Sequence, residues 1–292
     1  MDLSVIILSY NTKEITGRCL SHLLSAKRFC EKKLKNKIEI IVIDNSSKDG
    51  TVEFIKQDFP GIKLYALGVN TGFSRGNNLG MKKATKPYIL LLNSDVYVSL
   101  ESLYKALAYF RVNLNCSVLG GRLTYANGGL QPSAGNLPNP LNSILWIFGL
   151  SGFHPKNSSF FKKAHKVGWV MGAFFMLKQQ VFEKSKGFDE NLFMYFEEIE
   201  WCKRIWGLGF KIWYVPTVQA IHLHGASSNF NYNMAFLNEI KGIKYYLRKH
   251  FRSYLLITGP FLILGLIFRI IAFTILRNTN RAKVYMEALR VV

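Results

Sequence analysis

The chain has 292 residues, 49% of them hydrophobic and 19% charged, which leaves room for a large core and excludes wholesale disorder. With 38 basic against 18 acidic side chains the net charge is +20, which favours anionic partners: a membrane surface, phosphate-bearing ligands or a nucleic acid. Four cysteines (Cys19, Cys30, Cys116, Cys202) without CxxC spacing argue against a structural zinc site and a disulfide framework, and fit a reduced, cytosolic setting.

The chain opens on a strand pattern, so no signal peptide is expected. Ser4–Leu8 is a short β-branched run that ends in Ser9-Tyr10-Asn11. Helical spacing follows over 13–34, and Ile38–Ile43 forms a second buried strand ending at Asp44. A polar turn, Asn45–Gly50, leads into a helix through Phe54 and Ile55. Ile62–Leu67 is predicted as the third strand and Tyr88–Leu92 as the fourth, ending at Asn93-Ser94-Asp95. Strands alternating with helices point to parallel βαβ units. In open α/β sheets ligands bind at the carboxyl ends of the strands, where these polar residues stand. Asn, Ser and Asp also serve there as loop formers and helix caps.

The stretch 120–165 is rich in Gly, Pro, Asn and Ser and reads as long loops, with regular structure resuming at Gly168–Leu177. Residues 254–276 are the most apolar. At ~1.5 Å per residue they just reach across a bilayer. Gly259-Pro260 is expected to break the helix, Arg269 lies within it, and both flanks are basic. An interfacial or re-entrant hairpin therefore fits better than a span, with a buried terminal helix as the alternative.

The order SYN, VIDNSSKDGT, NTGFSRGNN and LLLNSDV resembles the nucleotide-binding half of glycosyltransferase family 2. The later string GAFFMLKQQVFEKSKGFDENLFMYFEEIEWCKRIWGLGFKIWYVP resembles its acceptor half. Together they cover roughly residues 3–228, and the match is nearest to the rhamnosyltransferase-like branch. The resemblance implies a GT-A fold, a Rossmann-like mixed sheet flanked by helices. Residues 1–228 would form the transferase domain, and 229–292 a C-terminal helical, membrane-associated region.

The resemblance also implies roles residue by residue. Ser9, Tyr10, Asn11 and Asp44 would bind the donor, with Tyr10 stacking on a pyrimidine and Asp44 accepting from its N3–H. Alone, Tyr10 reads as a packing tyrosine and Asp44 as a turn cap. Gly72, Phe73 and Asn77 match the family pattern, as does Asn78, in a segment where glycine admits close backbone approach and amides hold hydroxyls. Many members hold a divalent metal with an Asp-any-Asp motif; here Asn93 replaces the first acid, leaving Asp95 as the carboxylate ligand and Asn93 on the donor. His222, rather than His224, aligns as a second ligand for Mn²⁺ or Mg²⁺. Glu198 takes the place of the catalytic base and Glu197 positions the acceptor or leaving group, although acids at a helix start also serve the helix dipole. Glu200 is paired with Arg204 four residues on. Gly172 would let the donor approach closely. Trp201, Trp206 and Trp213 suit sugar stacking or core packing equally.

The activity so implied is inverting transfer from a nucleotide-diphosphate sugar, deoxythymidine-diphosphate rhamnose or a uridine-linked sugar, to a lipid-linked or polysaccharide glycan. The expected setting is the cytoplasmic face of the cell membrane, on an anionic surface, with an oligomer possible. A silent sugar-binding scaffold of the same fold is the alternative. A nucleic-acid-binding protein would explain the charge, but no nucleic-acid motif is present and none is expected as partner.

Overall fold

The computed structural model describes residues 1–150, 159–223 and 232–292. The first half alternates strand and helix: β1 (Leu3–Ser9), α1 (Lys13–Leu34), β2 (Ile38–Asp44), α2 (Thr51–Asp58), β3 (Lys63–Ala66), α3 (Gly72–Lys83) and β4 (Tyr88–Asn93). β1 pairs in parallel with both β2 and β4, and β2 with β3. These strands are apolar on both faces because helices cover both. Ile6, Ile41, Ile43, Ile89 and Leu91 point to one side, Val5, Ile7, Ile40, Val42, Leu90 and Leu92 to the other, following the two-residue period of a strand. On the second side the sheet meets α1 and α4 (Leu100–Val112), through Leu20, Leu23, Leu103 and Phe110.

The second half extends the sheet with β5 (Val96–Val98), β6 (Val118–Thr124), β11 (Phe174–Lys178) and the long β12 (Ile212–His222). The strand order is β3-β2-β1-β4-β11-β6-β12-β5. β11 runs antiparallel between β4 and β6, so the sheet is mixed. Four two-residue strands accompany it: β7 (Leu130–Gln131), β8 (Ala134–Gly135), β9 (His165–Lys166) and β10 (Trp169–Val170). β7 pairs with β6, β9 with β12, and β8 with β10 in a separate ribbon.

The expectation of long loops over 120–165 needs correction. β6 runs through Gly120 and Gly121, and a further helix, α5, spans Pro140–Ile147 behind an Asn139 cap whose side chain accepts from Asn142 N–H. The glycines look like loop formers in the sequence, yet they are crowded strand residues. A Cβ on Gly120 would stand 2.4 Å from Val170 Cβ, and one on Gly121 2.8 Å from the Val218 carbonyl.

α6 (Gln179–Ser185) and α7 (Glu197–Gly207) pack on the first side of the sheet, followed by α8 (Tyr232–His250), α9 (Arg252–Ile275) and α10 (Thr279–Leu289). Phe236, Ile240, Tyr246, Leu262, Leu266 and Tyr285 from these last helices join the same apolar core as Ile6 and Trp201. The expected boundary at 228/229 falls outside the described residues. The expected break at Gly259-Pro260 is absent: α9 continues through both. Pro260 is exposed, and Leu262 and Leu266 anchor the helix just beyond it. Arg269 is equally well placed. It donates from Nε to the Ile147 carbonyl (2.6 Å) and from Nη1 to Tyr285 Oη (2.9 Å), so its charge meets the carbonyl end of α5.

Candidate active site at the carboxyl edge of the sheet

The parallel register aligns the strand ends: Ser9 stands beside Asp44, and Leu8 beside Asn93. Ser9 is fully buried, its hydroxyl within 3.1 Å of Thr12 Oγ1 and 2.9 Å of Thr16 Oγ1, so it ties β1 to α1. Tyr10 is 39% exposed, open enough to stack on a base. Asn11 adopts a left-handed backbone (φ 51°); its N–H donates to Ser47 Oγ (2.9 Å) and its Oδ1 accepts from Lys48 N–H (2.7 Å). Asn11 thus fixes the turn after β2 next to Tyr10. Within that turn Asp44 Oδ2 accepts from Ser47 N–H (2.9 Å), while its buried Oδ1 accepts no hydrogen bond. A buried acceptor without a donor is costly unless a ligand supplies one.

Asn45, which sequence reasoning passed over as turn material, holds this region together. Its Oδ1 accepts from Thr71 N–H (2.8 Å) and its Nδ2 donates to Asn70 Oδ1 (2.8 Å). Gly72 begins α3 at φ +81°, and a Cβ there would stand 2.6 Å from the Phe193 ring. Phe73 N–H donates to the Phe193 carbonyl (2.8 Å). Asn77 Nδ2 is turned back on the Phe73 carbonyl (3.0 Å). Asn78 bonds Phe188 through both its amide groups and reaches Glu190 Oε1 at 3.1 Å. Both amides are buried; the Asn77 bond stays within α3, while those of Asn78 hold α3 against the 187–193 loop.

Asp95 and His222 come from distant parts of the chain. β5 pairs antiparallel with the end of β12, putting His222 opposite Val96 and hence next to Asp95. His222 Nε2 lies 3.3 Å from Asp95 Oδ1, and His222 Nδ1 lies 2.9 Å from Gln131 Oε1. Asp95 and His222 are 2% and 6% exposed, and Asp95 Oδ1 accepts no hydrogen bond. An orphaned carboxylate oxygen beside an imidazole nitrogen oriented by a neighbouring amide is a donor set that fits a divalent cation. Among the described residues no cluster of three or more His, Cys, Asp or Glu side chains is suited to a cation. His224 lies outside the described residues.

The acidic pair stands at the start of α7. Tyr195 and Phe196 enter it with left-handed φ values of 72° and 73°. Such a turn stores on the order of 1–3 kcal/mol per residue and persists only under firm support. α8 supplies that support, since a Cβ on Gly242 would stand 2.5 Å from Phe196 Cβ and 3.0 Å from the Tyr195 carbonyl. Burial raises the pKa of Glu198 to about 7, although the backbone amides of Glu198 and Gly172 favour its ionised form. Burial, then the charge of Glu198, holds Glu197 protonated well above the ordinary carboxylate range. Glu197 Oε2 is buried without a hydrogen bond.

A third carboxylate, Glu239 of α8, faces the pair. Burial and the Glu198 charge raise its pKa to about 7. Sequence reasoning missed it, although a signal existed: Glu239 and Glu287 are the only acids after Glu200.

The acidic pair is linked to the donor side through Gly172-Ala173. Asn93 N–H donates to the Ala173 carbonyl (3.1 Å), Phe73 lies 3.3 Å from where a Gly172 Cβ would stand, and the Gly172 amide faces Glu198. The structure thus brings Asn93, Phe73 and Glu198 together around one backbone segment.

Behind the pair, α7 is anchored to α8. Burial alone would raise the pKa of Glu200, but His250, Arg204 and Lys249 outweigh it and hold the group at about 2. The Arg204 pair is bidentate (Nε–Oε1 3.0 Å, Nη2–Oε2 2.8 Å), and Lys249 Nζ also reaches Asp189 Oδ2 (2.5 Å). Trp201 is a core residue, fully buried and stacked on Phe175, which removes it as a sugar platform. Trp206 is half-buried, donating to the Val167 carbonyl, and the Trp213 ring packs 6.1 Å from Tyr109.

The mixed sheet flanked by helices is a GT-A fold. The model of Glycosyl transferase family 2 matches residues 4–185, and the chain belongs to that family. It is 28% identical over 225 residues to the low-salt glycan biosynthesis hexosyltransferase Agl10 of Haloferax volcanii, covering 76% of this chain and 67% of that one. It is 28% identical over 227 residues to the rhamnosyltransferase WbbL of Escherichia coli, covering 74% and 84%. The N-acetylglucosaminyl-diphospho-decaprenol L-rhamnosyltransferase of Mycobacterium tuberculosis is 25% identical over 213 residues, covering 65% and 68%. Among solved structures, Staphylococcus aureus TarS 1-349 in complex with UDP-GlcNAc superposes with TM-score 0.57 at 17% identity, covering 99% and 92%. The mannosyltransferase PcManGT of Pyrobaculum calidifontis, in complex with GDP-Man and Mn²⁺, gives 0.59 at 15% identity, covering 99% and 83%. The chain is thus a rhamnosyltransferase-like family 2 member with glycosyltransferase activity of that type.

Proposed function

We propose that the chain moves a sugar, with inversion, from a nucleoside-diphosphate donor to a hydroxyl of a lipid-linked or polysaccharide glycan at the cytoplasmic face of a cell membrane. The observation that carries this reading is the placement of Glu198. Its carboxylate sits on the Gly172-Ala173 segment that also holds Asn93, and its pKa is raised to about 7. A base so tuned is half ionised at neutral pH and takes a proton readily.

In this reading Tyr10 stacks on the nucleobase and the unpartnered Asp44 Oδ1 accepts its ring N–H. A thymine or uracil base satisfies that acceptor. Gly72 and Phe73 border the sugar, with Asn93 alongside. Glu198 removes the proton of the acceptor hydroxyl as its oxygen attacks the anomeric carbon from the face opposite the diphosphate. The C–O bond to the diphosphate breaks and its electrons leave with the nucleotide. Glu197, held protonated beside Glu198, donates a hydrogen bond that positions the acceptor. Asp95 and His222 would hold a divalent cation, Mn²⁺ or Mg²⁺, whose charge offsets that of the leaving diphosphate. Among the described residues no third His, Cys, Asp or Glu joins this pair, so the donor's diphosphate oxygens and water would supply the remaining ligands.

The similarity to rhamnosyltransferases, one of them acting on N-acetylglucosaminyl-diphospho-decaprenol, favours a rhamnosyl donor and a polyprenyl-diphosphate-linked acceptor, and an acceptor atom at Asp44 suits a deoxythymidine- or uridine-diphosphate carrier. Residues 229–292 then serve as the membrane-associated region, peripheral to the bilayer. The test is release of nucleoside diphosphate from a panel of nucleotide sugars with a polyprenyl-linked acceptor. Release from one thymidine or uridine donor supports the reading, and silence across the panel points to a sugar-binding scaffold.

A further inference from the structure

α9 presents two unlike faces. Its inner face, through Leu262, Gly265, Leu266 and Phe273, packs on α5, α8 and α10. Its outer face carries Ile257, Phe261, Leu264, Phe268, Ile271 and Ile275, exposed by 58, 44, 54, 57, 53 and 75%. The spacing is four or three residues throughout, so these side chains form one stripe along the helix. Among the described residues, α9 is the one helix long and apolar enough to cross a bilayer, and only 22% of its apolar stretch is buried. The single charge within that stretch, Arg269, is drawn inward onto the end of α5 and Tyr285, leaving the stripe uncharged.

We propose that α9 lies flat in the headgroup region of an anionic phospholipid bilayer, with the Ile257–Ile275 stripe immersed and neither end crossing. Three observations favour this occupant and pose. The inner face is occupied along its length by α5 and α10, α10 exposes Arg281 and Lys283, and Arg290 caps its end; a spanning α9 would drag those charges into hydrocarbon. From residue 241 onward the sequence has ten Lys or Arg and one acid, Glu287, so the flanks suit anionic headgroups and repel a second copy of the same face. Finally, unbroken helicity through Gly259-Pro260 removes the bend that a re-entrant hairpin within the stretch requires.

This pose deepens the membrane placement of the proposed function by fixing the reaction centre relative to the lipid. Glu239 precedes the end of α8 by eleven residues, ~16 Å at helical rise. α8, which carries Glu239 beside Glu198, leads directly into α9, so a single helix ties the acidic cluster to the immersed one.

The test is vesicle co-sedimentation of the full chain without donor or acceptor, so that its outcome is independent of transfer. Phosphatidylglycerol-containing vesicles should bind the chain, with pure phosphatidylcholine far weaker. The variant Leu264→Glu, Ile271→Glu alters only exposed positions and should bind at least ~10-fold more weakly with an unchanged melting temperature. The four native cysteines are buried. Leu256→Cys and Leu276→Cys, each at an exposed end of the stretch, should both react with an impermeant maleimide added outside the vesicles. Unimpaired vesicle binding by the double variant overturns the proposal. So does protection of one end only, which indicates a span. A soluble dimer that the same variant dissociates, with no lipid binding, also overturns it and assigns the stripe to a second copy.

Discussion

Asp95 Oδ1 and His222 Nε2 face each other across 3.3 Å, although 127 positions separate the two residues, and Gln131 Oε1 steadies the far side of the imidazole at 2.9 Å. Cation affinity should depend on all three. Gln131→Ala should weaken Mn²⁺ binding by ~10–100-fold, because the ring loses its orienting partner while both ligands remain. Asp95→Asn should weaken it further. Titration calorimetry in the presence of nucleoside diphosphate reads both effects, and unchanged affinity in Asp95→Asn excludes this pair as the cation site.

Asp44 leaves one buried oxygen without a donor. Asp44→Ala should therefore weaken binding of a uridine or thymidine diphosphate by ~10-fold or more, the worth of one buried hydrogen bond to a charged group. The measurement is competition binding with uridine and cytidine diphosphates. Cytosine lacks the ring N–H, so the variant should lose the preference for uracil. Equal loss with both nucleotides points to a fold defect instead.

The Glu198 charge raises the pKa of Glu239 on top of burial, and Coulomb repulsion between two ionised carboxylates acts on both members alike. Glu239→Gln should shift the rise of the pH–rate profile below pH 7, since Glu198 then ionises without that charge. Stability follows the same sign. A carboxyl whose folded pKa exceeds its unfolded value stabilises fully below about pH 4.5 and loses that contribution as pH rises through about 7. The variant should thus gain on the order of 1–2 kcal/mol over the parent at pH 8 and little at pH 4.5. A pH-independent stability difference contradicts this.

Glu200 behaves in the opposite way. Its folded pKa, about 2, lies below the ordinary 4.5, so its contribution is present above about pH 4.5 and lost as pH falls toward 2. Glu200→Ala leaves Arg204, Lys249 and His250 without their shared partner and should cost ~3–5 kcal/mol at pH 7. Chemical denaturation at several pH values provides the check.

The half of the site built from local chain was legible in the sequence. The strands ending at Ser9, Asp44 and Asn93 show as apolar runs cut off by polar residues, and helix 13–34 appears with the boundaries expected. What was illegible depends on pairing across long distances. Nothing local to His222 says that β5 will bring it to Asp95, or that Gln131 will bond its ring. Gly120 and Gly121 imitate loop residues because the reason for them is pressure from Val170 and Val218. Pro260 and Arg269 imitate helix breakers in an apolar run because their compensation is tertiary: an outward-facing proline and an arginine spent on α5.

The central claim is that Glu198 is the base, and Glu198→Gln tests it most directly. The substitution keeps shape and removes proton-accepting ability, so turnover should fall by ~100-fold or more while donor affinity, measured on the same preparation, stays unchanged. Turnover near the parent rate, with the inflection near pH 7 intact, would contradict the assignment and move the base elsewhere in the acidic cluster.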